Sequence, residues 1–230
     1  LSDLICPVHS SMEINNYTYW DVRHKRQGFR AFIPSLTTPV FPIENGFDSN
    51  NWSVAKPYSE RTFDAIAVFV IGPHNRSILK GADLILAVSK RNPDMRFKII
   101  GGVADAADVP TNCTVINNCS QPELAGHYND AKVFLQPSIS EGFPNTLGEA
   151  MACGCFPIGS RVSSIPDIVG KLGFVLNRRD DRELEQLIFK ALGDIDAGAV
   201  DMHKISDSIF SRYSIERRTN MMLQAIEQVA

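Results

Sequence analysis

The sequence has little of what usually announces a function at first sight. Its longest apolar runs, such as Ala65 to Gly72, have the length of a strand and fall short of a bilayer span. It lacks an excess of one charge: 23 Lys and Arg against 26 Asp and Glu leave a formal charge of -3. No overall field therefore draws nucleic acid or an anionic surface, and any bound anion must be caught locally. A disulfide framework is also missing, because five cysteines, Cys6, Cys113, Cys119, Cys153 and Cys155, are an odd number in a chain of 230 residues. That favours a reducing compartment, so a cytoplasmic location is expected. Cys153-Gly-Cys155 has one residue between its thiols where zinc and redox motifs usually have two, and no histidine pair follows. The thiols are read as small buried groups, and no metal site is expected. Five N-x-[ST] sequons, at Asn16, Asn51, Asn75, Asn112 and Asn118, are read as chance matches. With 15 Gly and 13 Pro the chain is neither collagen-like nor low in complexity. No targeting segment precedes Leu1, and the chain reads as a fragment of a longer one.

What is present is a globular composition, 44% hydrophobic and 21% charged. From residue 66 onward, short β-branched runs alternate with helical patterns, the pattern of βαβ units in a parallel sheet. The expected strands are Ile66 to Ile71, Arg96 to Ile100, Thr114 to Ile116, Lys132 to Gln136, Phe156 to Ile158 and Gly173 to Leu176. Their near-continuous apolar character suits strands covered on both faces. Helices are expected over Ile78 to Arg91, Pro122 to Asn129, Thr146 to Ala152, Ile165 to Val169 and Asp180 to Leu192. In the first, Ile78, Ala82, Ile85 and Val88 mark a core face. Two further helices fill Asp201 to Ala230, the last carrying Ile215, Met222, Ala225 and Ile226. Together these define a doubly wound, Rossmann-like α/β domain. Residues 1 to 60 differ: a polar stretch with Tyr17, Tyr19 and Trp20 leads into the proline-punctuated segment Phe32 to Ile43, which ends in the turn Asn45-Gly46, and this part reads as a linker joined to the remnant of another unit.

Open parallel sheets bind ligands beyond the carboxyl ends of their strands. Two loops there stand out. The first, GPHNRSILKG from Gly72 to Gly81, sets Arg76 and Lys80 around the start of a helix, whose end carries roughly half a positive charge and suits a phosphate or diphosphate. Neither G-x-G-x-x-G nor G-x-x-x-x-G-K-[ST] occurs, so the ordinary dinucleotide and P-loop fingerprints are absent. The second loop, PSISEGFPNTLGEAMACG over residues 137 to 154, holds Glu141 and, inside the following helix, Glu149. A carboxylate that accepts two hydrogen bonds suits the vicinal hydroxyls of a ribose or a sugar.

The string S-x-x-E-G-F-x-x-x-x-x-E-A-M-A-x-G-x-P, matched by Ser138, Glu141, Gly142, Phe143, Glu149, Ala150, Met151, Ala152, Gly154 and Pro157, resembles the signature of the retaining GT-B glycosyltransferases of family 4. Asn45-Gly46-Phe47-Asp48, Lys80-Gly81, Pro122-Glu123-Leu124 with Tyr128 and Ala131, and Ser164 to Val169 extend the likeness. It implies that residues 43 to 230 are the donor-binding C-terminal half of such an enzyme, and that residues 1 to 42 are the remnant of the acceptor-side domain with its linker. The rest of that domain would then be absent from this chain. The resemblance further implies that Glu141 holds hydroxyls of the donor sugar and Glu149 those of the ribose. Backbone N–H groups of Gly142, Phe143, Asn145, Thr146 and Leu147, around Pro144, would contact sugar and phosphates, while Arg76 and Lys80 face the diphosphate. Arg76 stands four residues before Lys80, where five or six is usual in the family. The base would lie against the loop Ile116 to Gln121. A UDP- or GDP-linked sugar is the implied substrate, with retention at the anomeric carbon, no metal and no other cofactor. Peripheral membrane association of the full-length enzyme is compatible with it, and no nucleic-acid partner is implied.

Three other readings compete with this one. Glu141 and Glu149 as the acid and nucleophile of a retaining glycosidase would sit about 5 Å apart across a scissile bond. Asp194-Ile-Asp196 has the D-x-D form of a metal-nucleotide site but follows a helix expected to end at Gly193, and reads as a solvated turn. A non-catalytic nucleotide-sugar-binding module acting with a partner chain is the alternative function. His127 is expected on a helix surface, and His74 is left open as a phosphate-loop contact.

Overall fold

The computed structural model describes residues 3–20, 26–69, 76–101 and 109–229. Six parallel strands form its centre: β3 (Phe63–Val68), β4 (Phe97–Ile100), β5 (Cys113–Ile116), β6 (Ala131–Gln136), β7 (Phe156–Ser160) and β8 (Phe174–Leu176). Their order across the sheet is β5-β4-β3-β6-β7-β8. The chain leaves β3 towards one edge, returns to β6, and then builds towards the other edge. The switch point, where ligands gather in such folds, therefore lies between the carboxyl ends of β3 and β6.

The apolar runs become the sheet because each strand is covered on both faces. Ala65, Ile66, Ile99, Val133, Phe134 and Leu135 are all buried, as continuous rather than alternating hydrophobicity requires. The covering helices are α3 (Ala82–Arg91), α4 (Gln121–Asn129), α5 (Asn145–Ala152), α6 (Ile165–Val169), α7 (Asp181–Asp196), α8 (Met202–Arg212) and α9 (Ile215–Glu227), with a short α2 (Arg76–Leu79) before α3. Local chemistry sets their starts. Ser120 and Glu123 make a reciprocal capping box on α4, and Asp180, Asp201 and Ser214 accept backbone N–H bonds at α7, α8 and α9.

Several elements depart from the sequence expectation. The helix expected over Ile78 to Arg91 is broken at Gly81, whose φ of 77° is left-handed and whose position would place a Cβ 2.4 Å from the Pro137 carbonyl oxygen. The break rotates the preceding turn, so Ile78 is exposed while Ala82, Ile85 and Val88 remain in the core. α7 runs through Asp196, past the expected end. Asp194 and Asp196 thus belong to its last turns, and Asp196 pairs with Lys132 at 3.7 Å. On α9 only Ala225 is buried; Ile215, Met222 and Ile226 are exposed. That helix lies against Glu44 and Asn45, through Arg217 and Arg218, instead of entering the core.

Residues before 43 are not a detached tail. Strands β1 (Asn15–Asn16) and β2 (Arg26–Gln27) pair antiparallel, and α1 (Phe29–Phe32) follows. Tyr17 and Tyr19, each 2% exposed, enter the same core cluster as the sheet residues. Their hydroxyls donate to the Ile139 and Pro137 carbonyls, at 2.9 and 3.2 Å. The segment thereby crosses the loop that follows β6.

Candidate functional site

The broken helix is what brings the two expected loops together. With the chain turned at Gly81, the Ile139 N–H donates to the Leu79 carbonyl at 2.7 Å, and Lys80 is set directly over the loop after β6. Its ammonium forms an ion pair with the Glu141 carboxylate at 2.5 Å. Two residues that the sequence places 61 positions apart thus meet at the switch point. Glu141 is 10% exposed and Lys80 34%, so the cation can be reached from solvent while its partner is held from behind.

What holds Glu141 is Gln136, the polar end of an otherwise apolar strand. Its amide donates to Glu141 at 3.0 Å and to the Ser138 hydroxyl at 2.7 Å, and its carbonyl accepts from the Thr146 hydroxyl at 3.1 Å. No motif in the sequence marks Gln136, although a glutamine closing the apolar run KVFLQ is a visible signal. Thr146 lies in the first turn of α5, so the network ties that helix start to the carboxylate.

Much of the rest of the signature is packing. Phe143 is buried between Phe47 and Tyr213, with ring centres 6.3 and 5.3 Å away. A Cβ on Gly148 would fall 2.2 Å from the Phe47 ring, so only glycine lets α5 lie this close to the Asn45–Asp48 turn. Pro144 caps α5, and Asn145 accepts from the Asn45 amide at 2.7 Å. Gly142 presents its carbonyl to the hydroxyls of Ser163 and Ser164, at 3.0 and 2.7 Å. Leu147 is wholly buried and its N–H donates to the Pro144 carbonyl, so it faces away from the mouth.

Glu149 sits one turn into α5, half-buried, and accepts from the Tyr128 hydroxyl at 3.1 Å. Burial raises its pKa above the ordinary carboxylate value, partly offset by that hydrogen bond. A carboxylate with one protein donor and an unfavourable environment retains capacity for a ligand's hydroxyls.

Arg76 opens α2, but its side chain lies outside the described residues, as do residues 70–75, His74 among them. The loop Ile116 to Gln121 leads from β5 into α4 on the carboxyl side of the sheet. His127 is not the free surface group expected: it is half-buried, with Nδ1 3.2 Å from the Lys98 ammonium. Lys98 bonds Asp130 as well, at 3.3 Å, so His127 serves a buried polar cluster away from the switch point.

The fold, a six-stranded parallel sheet with its polar loops gathered at the switch point, is that of the C-terminal domain of GT-B glycosyltransferases. Comparison with known proteins agrees. The family described as glycosyl transferases group 1 matches residues 68–194, and the chain belongs to that family. The serotype-specific mannosyltransferase WbdA of Escherichia coli is 36% identical over 72 residues, which cover 31% of this chain and 9% of that protein. A phosphatidylinositol N-acetylglucosaminyltransferase subunit of Schizosaccharomyces pombe, gpi3, is 23% identical over 213 residues, covering 86% of this chain and 45% of that one. Among solved structures, sucrose-phosphate synthase from Thermosynechococcus elongatus superposes with a TM-score of 0.69 at 20% identity, over 87% of this chain and 56% of its own. The Anabaena protein HepE, solved with UDP and glucose, gives 0.68 at 15% identity over 82% and 57%. The chain thus spans about half the length of these solved relatives and less than half of the curated ones.

Proposed function

We propose that this chain is the donor-binding half of a retaining, metal-independent glycosyltransferase whose substrate is a UDP- or GDP-linked sugar. The observation that carries this reading is the meeting of Lys80 and Glu141 at the switch point, beside the start of α5 and with Glu149 one turn inside it. A nucleoside diphosphate needs a cation where its phosphates lie and carboxylates where its hydroxyls lie. Lys80, with Arg76, meets the diphosphate; Glu141 accepts from the donor sugar and Glu149 from the ribose; Gly142 to Thr146 line the sugar between them. The base stacks against the Ile116 to Gln121 loop.

Breaking the anomeric C–O bond leaves new negative charge on the departing nucleotide. A fixed ammonium and a helix N-terminus stabilise that charge as it develops, the role a metal would otherwise fill. Retention follows if the leaving phosphate itself takes the acceptor's proton, so no protein base is assigned. Residues 1 to 42 belong to the acceptor side in this reading, and the remaining acceptor half would be contributed outside this chain. Cytoplasmic placement is part of the same proposal, supported by cysteines that are all free, with peripheral membrane association of the full-length enzyme. A second reading, a binding module that works with a partner chain, is favoured by the relative named as a subunit.

Calorimetry against UDP, GDP, ADP and CDP tests the proposal. Saturable binding of UDP or GDP is expected, and no binding of any of the four at millimolar concentration would sink it.

A further inference from the structure

A second carboxylate stands just beyond Lys80. Asp83 lies in the first turn of α3, directly after the Gly81 break, with its side chain 43% exposed. Left free, it would offer the Lys80 ammonium another anionic partner, in competition with Glu141 and with any phosphate. It is not left free. Arg179, which follows β8 at the carboxyl end of the sheet, sets its Nη2 2.7 and 2.6 Å from the two Asp83 carboxylate oxygens, across 96 positions of sequence.

Arg179 is held in place from the other side. Its backbone N–H donates to the Tyr19 carbonyl at 2.9 Å, and the Trp20 ring lies against its guanidinium, 5.4 Å from the ring centre. The side chain is 15% exposed, so water screens the pair little. Tyr19 in turn donates its hydroxyl to the Pro137 carbonyl, the oxygen against which Gly81 turns. Burial pushes the Tyr19 hydroxyl above its ordinary pKa, with Arg179 acting against that shift and Asp83 adding to it, so both charges are felt where the loop after β6 meets the start of α3. Nε of Arg179 is buried with no hydrogen-bond partner among the described residues. A buried donor left unpaired costs stability, so packing alone does not account for an arginine here.

Resting on the donor assignment above, we propose that Arg179 and Asp83 form a positioning pair for the diphosphate site: the guanidinium holds the Asp83 carboxylate off Lys80 and cancels its charge, so that Lys80 stays over Glu141 and available to an anion. Neither residue touches the nucleotide in this reading. Both act through Lys80 and the start of α3. Because the effect is one of charge, it vanishes when both charges are removed together, which a purely mechanical clamp would not do.

Calorimetry with UDP and GDP on the full chain at low ionic strength, repeated at about 1 M salt, tests the pair. Arg179→Met leaves the Asp83 charge uncompensated and should weaken nucleotide binding about tenfold at low salt, with most of the loss gone at high salt. Asp83→Asn keeps the shape, leaves the guanidinium unopposed, and should tighten binding at low salt. The double variant should return to within about twofold of the parent. Asp83→Asn reads the same charge without removing the arginine, so the test stands even where Arg179→Met fails to fold. Nucleotide binding that Asp83→Asn leaves unchanged or weakens, or a double variant as weak as Arg179→Met, overturns the pair and leaves the donor assignment standing. No binding of either nucleotide by the parent chain overturns both.

Discussion

Two cations, one at the amino end and one at the carboxyl end of the strands, are partnered in opposite ways. At the amino end, Arg61 is 4% exposed and donates to the carbonyls of Lys56, Tyr128, Ala131 and Cys153, with Cys155 Sγ at 3.7 Å. Those acceptors are backbone atoms from separate stretches of chain, so the guanidinium staples loops whose positions are otherwise unrelated. At the carboxyl end, Lys80 is partly exposed and held by one carboxylate, itself a side chain with another supporter in Gln136. A cation bound to backbone has no spare capacity and cannot change partner without unfolding something. A cation bound to a side chain at a solvent-open mouth can exchange that partner for an anion. The difference separates what builds the domain from what a ligand can use.

Arg61→Ala should give the largest effect. It orphans several buried carbonyls at about 1 kcal/mol or more each, so a loss of about 3 kcal/mol or more is expected. In a chain of this size that lowers the melting midpoint by roughly 6 to 12 °C. Calorimetric melting checks it, and a shift under roughly 2 °C would mean that water replaces the guanidinium and the staple is nominal. Lys80→Ala is the converse. It should move the melting midpoint less than Arg61→Ala, yet cost on the order of a hundredfold in transfer rate in the full-length enzyme. Its effect on nucleotide affinity should be larger at low salt than at high salt, since an exposed cation is screened. Unchanged affinity for every nucleotide would remove Lys80 from the donor site.

Gly148→Ala asks whether the carboxyl end also contains parts that cannot yield. The added methyl meets the Phe47 ring, so destabilisation of about 1–3 kcal/mol is expected from overpacking alone. Phe47→Leu in the same chain should recover part of it. Failure of that rescue would place the strain elsewhere than in the contact with Phe47.

The sequence made the sheet legible because strands buried on both faces read as continuous apolar runs. It made the Glu141 to Pro157 block legible because packing residues and polar residues fall together in one short string: Phe143, Gly148 and Met151 meet the core, while Glu141 and Glu149 pair with Lys80 and Tyr128. Contacts far apart in sequence were not legible. No periodicity reports that Gly81 abuts Pro137, and that single contact decides where one helix ends and where Lys80 points. Likewise Tyr17 and Tyr19 sit in a polar-looking stretch, and only the carbonyls of Ile139 and Pro137 explain their burial. On α9, Ile215, Met222 and Ile226 fall at helical spacing, but the helix lies on the Asn45 turn and leaves them exposed.

Glu149→Gln should have the smallest effect on stability, and its sign is informative. Burial raises the Glu149 pKa above its ordinary 4.5, partly offset by the Tyr128 hydroxyl. The fold therefore favours the protonated form: its contribution is present below the ordinary value and fades as pH rises through the raised one. Glutamine keeps the shape and carries no charge. The variant should match the parent near pH 4 and gain a modest advantage as the parent's carboxylate ionises, reaching a plateau towards neutrality. Melting midpoints followed from pH 4 to 7 read this directly. Nucleotide affinity should move the opposite way, weakening about tenfold at pH 7 because hydroxyls lose a charged acceptor. A variant less stable than the parent at pH 7 would mean that the Tyr128 bond outweighs burial, and that Glu149 belongs with Arg61 as a structural group.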